Sequence, residues 1–159
     1  MDSSSGPDDA IRHLLASYRS GTTSVQQELE NTFSRIASID RSGPSLNSVL
    51  RIDPDAQWAA RNLDTERCTG VAITPLHGVP ILLKDNIDTG GSGGGSMATS
   101  AGTLALANSY APADAPLVRH LRNAGALILG KTNMTELANY MSNCMPSGYS
   151  ASAADRLGI

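Results

Sequence analysis

Apolar residues recur at helical spacing from Ile11 through Leu14 and Leu15 to Tyr18, and Gly21 interrupts them, which predicts one amphipathic helix. Thr23 with Gln26 forms a capping box, after which Val25, Leu29, Phe33 and Ile36 share one face of a second helix. Together they predict a helical hairpin. Asn47 to Ile52 fits a short strand. Asp53-Pro54 supplies a cap and a first-turn proline for a helix through Trp58, Ala59 and Leu63, ending near Gly70.

The spacing then changes. Leu76 to Leu83 is apolar but too short for a helix and contains Pro80, so a buried strand is predicted over Val79 to Leu83, stopping at Lys84-Asp85-Asn86. Asp114 is expected to cap a helix carrying Leu117, Val118, Leu121 and Ala124, and Gly125 to end it. Ala126 to Leu129 is a second buried strand, expected to run parallel to the first with residues 99–125 crossing over between them. Asn133 with Glu136 predicts one more short helix through Leu137 and Tyr140. Strands alternating with helices give an α/β layer with a mostly parallel sheet.

Two stretches stand outside this order. Gly90 to Ser96 has the composition of a flexible linker, and Ala151 to Ile159 has no periodicity. The expected organisation is a disordered tail over residues 1–7, a partial domain over 8–150 with a flexible insert at 90–96, and a divergent tail over 151–159.

Composition narrows the function classes. The 159 residues are 40% hydrophobic, with a net charge of −3, 20 Ala, 15 Gly and six aromatic residues, so the core must be built from small and aliphatic side chains. No basic cluster interleaved with aromatics marks a nucleic-acid surface, and no run reaches the ~18 apolar residues of a membrane span. The N-terminus lacks the basic start and apolar stretch of a signal peptide, so a cytoplasmic location is expected. Cys68 and Cys144 have no CxxC spacing and are expected as free thiols.

Several motifs match by letters only. Gly125 to Thr132 satisfies the phosphate-loop pattern GxxxxGK[ST], yet its four middle positions are themselves an aliphatic strand preceded by a helix, the wrong context for a phosphate cradle. Gly90 to Gly94 satisfies GxSxG without the strand and helix that a nucleophile elbow needs. Asn133-Met134-Thr135 is a glycosylation triplet at a predicted helix cap. His13, His77 and His120 have no metal-ligand spacing and read as ordinary structural or surface residues. Lys84 differs, because it ends a buried strand, and open α/β sheets place their sites outside the carboxyl ends of strands. Lys131 qualifies by the same reasoning, and a solvated loop lysine is the alternative for either.

The stretch Leu76-His77-Gly78-Val79-Pro80-Ile81-Leu82-Leu83-Lys84-Asp85-Asn86-Ile87-Asp88-Thr89 resembles the amidase signature family, serine hydrolases of amide bonds. Met97 to Gly102, Asp114 to Val118, Ala124 to Leu137 and Ser147 to Ser150 resemble its N-terminal part in order and spacing. The resemblance implies an α/β/α fold with a mixed sheet between helices, present here as an incomplete N-terminal portion. It also implies a Ser, cis-Ser, Lys triad whose lysine is Lys84. In that chemistry the neutral lysine draws a proton through the cis-serine from the nucleophilic serine, which attacks the amide carbonyl and forms an acyl-enzyme.

No position here matches either serine: Ser147, Ser150 and Ser152 are not those residues, and Ser92 follows Lys84 too closely. A truncated chain, inactive alone, is therefore expected. It would act on a small-molecule amide in the complete protein, need no cofactor or metal, bind neither nucleic acid nor membrane, and self-associate through exposed apolar surface. The alternatives are a non-catalytic fragment or pseudoenzyme serving as an assembly partner, and a nucleotide-binding protein acting through Gly125 to Thr132.

Overall fold

A computed structural model describes residues 7–71, 73–90, 97–140, 143–144 and 148–152. Three strands form the sheet: β1 (Val49–Ile52), β2 (Pro80–Lys84) and β3 (Leu127–Thr132), with β3 in the middle. β2 lies parallel to β3, as the crossover predicts, whereas β1 runs antiparallel on the other edge, so the sheet is mixed. Among the described residues four α-helices accompany it: α1 (Pro7–Ser20), α2 (Val25–Arg35), α3 (Ala56–Cys68) and α4 (Pro116–Asn123).

Both faces of β3 are covered. Leu127 and Leu129 join Leu15 and Tyr18 of α1, Val25 and Leu29 of α2, Ala56 and Ala60 of α3, and Val79 in one core. Ile128 points the other way, into a smaller cluster with Leu83, Met97 and Val118 of α4. Helices on both sides of a sheet make an α/β/α arrangement. The hairpin expected of α1 and α2 is not the main helical pairing: α2 packs on α3, and α1 meets it through the shared core.

Both sheet registers carry an irregularity near Gly130. Ile81 pairs with Ile128 but Leu82 with Gly130, leaving Leu129 as the extra residue. On the other edge Val49 pairs with Thr132 and Arg51 with Lys131, leaving Leu50 extra. Such bulges re-aim the side chains that follow them. A Cβ on Gly130 would lie 2.2 Å from the Arg51 carbonyl oxygen, so only glycine admits this approach.

Helix starts depart from the expected caps because side chains distant in sequence reach the open N–H groups first. Ser24, not Thr23, caps α2 by accepting from the Gln27 N–H at 3.1 Å. Asp64 of α3 takes the N–H groups of Val25 and Gln26 at 2.9 and 3.1 Å. Asp53 accepts from the Asp55 N–H in a turn, so Pro54 precedes α3, which begins at Ala56. Asp114 does not cap α4; its carboxylate accepts from the Gly90 N–H at 2.9 Å and from Arg122 Nε at 3.0 Å. The last predicted helix is a 3-10 turn, Glu136–Asn139, with Leu137 and Ala138 in left-handed conformations, and Asn133 accepts from the Met134 N–H instead of capping it. Gly90 is buried and bridges Ala111, while residues 91–96, 1–6 and 153–159 lie outside the described residues.

Candidate functional site

Lys84 is the last residue of β2, paired with Thr132, and its side chain is exposed. The next residue, Asp85, is fully buried. Its backbone N–H donates to the Thr132 carbonyl at 3.2 Å, and its own carbonyl accepts from the Ala101 N–H at 3.2 Å. Its carboxylate Oδ2 accepts from the Ser100 hydroxyl and from the Gly102 N–H at 3.0 Å. Ala101 and Gly102 both have positive φ, 48° and 73°, so successive N–H groups turn toward one side and cup the acidic residue.

The other charges gather around this carboxylate. Arg51 places Nε 3.9 Å from Asp85 Oδ1, an ion pair without a hydrogen bond, and its Nη2 donates to the Ser100 hydroxyl at 3.2 Å. Lys131 is wholly buried and donates through Nζ to the Ile87 carbonyl and, at 3.4 Å, to the Thr99 hydroxyl. Burial pushes the Lys131 ammonium below the ordinary lysine range, the Asp85 charge and, more weakly, those of Asp88 and Asp114 opposing that shift and the Arg51 charge reinforcing it. Ser152 closes the group, its N–H donating to the Gly102 carbonyl at 3.2 Å and its hydroxyl 3.4 Å from that of Ser100. Ser150 donates to the same carbonyl at 3.2 Å.

The two lysines singled out in the sequence therefore stand on neighbouring parallel strands, Lys131 opposite Leu83 and one position before the partner of Lys84. One is buried and one open. His13 and His120 are exposed on α1 and α4. His77 is buried with Nε2 3.1 Å from the Leu63 carbonyl, a structural role. The letters of the phosphate loop run from Gly125 and Ala126, just before β3, along the whole of β3, and the N–H groups of Gly125, Ala126 and Leu127 are bonded to the Arg122, Leu121 and Val79 carbonyls. These three N–H groups are spent within the fold and form no open cradle. Among the described residues no three His, Cys, Asp or Glu side chains gather into a metal-binding group. Arg51, Asp85, Ser100 and Ser152 escape a reading of the sequence. The one available signal was an acidic residue directly after the strand-end lysine.

The amidase family profile, described simply as Amidase, matches residues 29–152, which includes every residue of this cluster. The chain belongs to the amidase family. Among solved structures it is similar to the peptide amidase of Stenotrophomonas maltophilia, with 46% identity and a TM-score of 0.79 over 88% of this chain and 28% of that one. An amidase family protein from Bacillus anthracis is 41% identical at the same TM-score, 0.79, covering 88% of this chain and 27% of its own. The indoleacetamide hydrolase of Bradyrhizobium diazoefficiens is 36% identical over 124 residues, 77% of this chain and 22% of that protein. The chain thus spans between 18% and 28% of the length of such relatives. Among the described residues of this amidase-family chain, no helix is long and apolar enough to cross a membrane.

Proposed function

We propose that this chain supplies the lysine of a Ser, cis-Ser, Lys triad that hydrolyses the carbon-nitrogen bond of a small amide, and that Lys84 is that lysine. The observation that carries the reading is the position of Lys84. It ends β2 at the carboxyl edge of a parallel strand pair, exposed beside a turn whose next residue is fixed by buried polar groups. Open α/β sheets hold reactive groups at such edges. A lysine there can serve as a base toward a serine hydroxyl brought against the same edge. The 46% identity to a peptide amidase supports an amide as substrate.

The 159 residues provide one of the three groups, so the isolated chain is expected neither to turn over simple amides nor to react with a fluorophosphonate. The decisive test is a chimera. Residues 29–150 of this chain would replace the matching part of the Stenotrophomonas peptide amidase, and the chimera is expected to hydrolyse a peptide amide. Lys84→Ala should abolish that turnover. Equal turnover with and without Lys84→Ala would overturn the reading.

A further inference from the structure

We propose that Asp85 and Lys131 form a buried clasp that fixes the turn leading away from Lys84, and that both are positioning residues for it. The inference rests on the reading of Lys84 as the triad's lysine. The turn at residues 85–88 is held from two sides. Asp85 is bound through backbone and carboxylate to residues 100–102, and the Ile87 carbonyl is bound by the Lys131 ammonium. Between these anchors, the Ile87 N–H closes back onto the Lys84 carbonyl at 2.9 Å. Lys84 therefore leaves the strand in a direction set by its two neighbours.

Packing alone does not account for the clasp. A buried ammonium and carboxylate lose much hydration, and well-packed apolar side chains of similar volume commonly serve stability equally well. What the two charged groups add is a fixed geometry, each held by its own directed hydrogen bonds, Asp85 to Ser100 and Gly102 and Lys131 to Ile87 and Thr99. The extra residue at Leu129 keeps Lys131 in step with Leu83 on the side where Asp85, Ile87 and Thr99 lie, so the clasp uses a local break in strand regularity.

The chain has two lysines, which makes the clasp measurable by amine acetylation read by peptide mass mapping. Lys84 is expected to react freely and Lys131 more slowly by at least about 100-fold, its reaction requiring local opening. Asp85→Asn keeps the side-chain shape and removes the charge. It should raise Lys131 acetylation about tenfold, speed exchange of the substituted residue's own amide and that of Ile87, and leave Leu127 to Leu129 unchanged. It should also move the pH midpoint of Lys131 acetylation downward, because the carboxylate no longer favours the ammonium. A purely packing role would instead rehydrate Lys131 as the turn loosens and move that midpoint upward. Should Asp85→Asn fail to fold, Ser100→Ala removes one donor to the same carboxylate and should loosen Lys131 in the same sense.

Equal reactivity of the two lysines in the unmodified chain would overturn the clasp. So would an Asp85→Asn chain in which the acetylation rate, the midpoint and the exchange of the turn are all unchanged. In the chimera, Asp85→Asn should lower kcat with KM little changed. Loss of turnover with Lys84→Ala but not with Asp85→Asn would retain the lysine reading and reject the clasp. Intact turnover with Lys84→Ala would reject the lysine reading while the acetylation results still judge the clasp.

Discussion

The two sides of β3 are built from opposite chemistry. On one, Leu127 and Leu129 meet α1, α2 and α3 through aliphatic side chains and Tyr18, an area-driven core that tolerates adjustment. On the other, apolar contact is limited to a few residues around Ile128 and Val118. Beyond them Arg51, Asp85, Ser100 and Lys131 fill the corner next to Lys84. The apolar side holds the sheet in place, and the polar corner holds one turn in one geometry. Loss of a group should therefore be broad and moderate on the first side and local and severe on the second.

The largest expected effect tests the polar corner. Asp85→Ala takes from the part-buried Arg51 its ion-pair partner, removes a negative charge that favours the buried Lys131 ammonium, and strips the Ser100 hydroxyl and the Gly102 N–H of their acceptor, so unfolding in urea should show a loss of about 3–5 kcal/mol. Leu29→Ala, at a position 2% exposed, should cost about 3 kcal/mol through lost burial and a cavity. If Leu29→Ala proved the more damaging of the two, the contrast between the sides would collapse. Gly130→Ala sits where they meet. Its Cβ would strike the Arg51 carbonyl at 2.2 Å, so β1 and β3 must part locally, at about 2 kcal/mol, with Lys131 losing protection from acetylation.

Two acidic residues away from the corner sharpen the comparison by pH. Burial alone would raise the carboxyl of Asp40, but the Ser48 hydroxyl and the N–H groups of Ser48 and Val49 donate to it and hold it below the ordinary range. Its folded value lies below its unfolded one. Its stabilisation is therefore present above the unfolded value of about 3.9 and is lost as pH falls through the folded value. Asp53 has the opposite sign: burial raises it, so it costs stability at neutral pH and the cost is relieved on acidification. Urea titrations at neutral and acidic pH should show Asp40→Asn less stable by about 1.5 kcal/mol at neutral pH, with a flattened acid limb. Asp53→Asn should gain at neutral pH.

Legibility in the sequence follows the same division. The apolar side announces itself locally, since Ile11 to Tyr18 and Val25 to Phe33 carry a helical period within one segment and Leu76 to Leu82 belongs to a short apolar run. The strands β2 and β3 and their parallel order follow from that pattern. The family resemblance marked Lys84. The polar corner is assembled from Arg51, Asp85, Ser100, Lys131 and Ser152, dispersed over about a hundred residues, and no local pattern announces an ion pair between distant segments. Caps failed for the same reason. Asp64 reaches α2 from another helix, and Asp114 is taken by Gly90 and Arg122. The extra residue at Leu129, which sets the side on which Lys131 sits, depends on a Gly130 whose need arises only against Arg51.

The smallest expected effect is also the sharpest check on the apolar side. Tyr18 is fully buried, yet its hydroxyl donates to the Gly78 carbonyl at 3.2 Å, tying α1 to the turn that leads into β2. Burial, with the nearby charges of Glu28 and Asp64, pushes its phenol above the usual range, so the group stays a neutral donor. Its ring lies against Gly78, where an added Cβ would meet Val25 Cγ2 at 2.5 Å and Tyr18 Cε2 at 3.2 Å. Tyr18→Phe retains that ring and loses one neutral hydrogen bond, so urea unfolding should show a loss of about 1 kcal/mol. Lys131 should stay as protected as before, because the substitution lies on the opposite side of β3. If Tyr18→Phe instead released Lys131 to acetylation, the clasp would depend on the helical side as much as on its own charges, and the two sides of the strand would have to be treated as one cooperative unit.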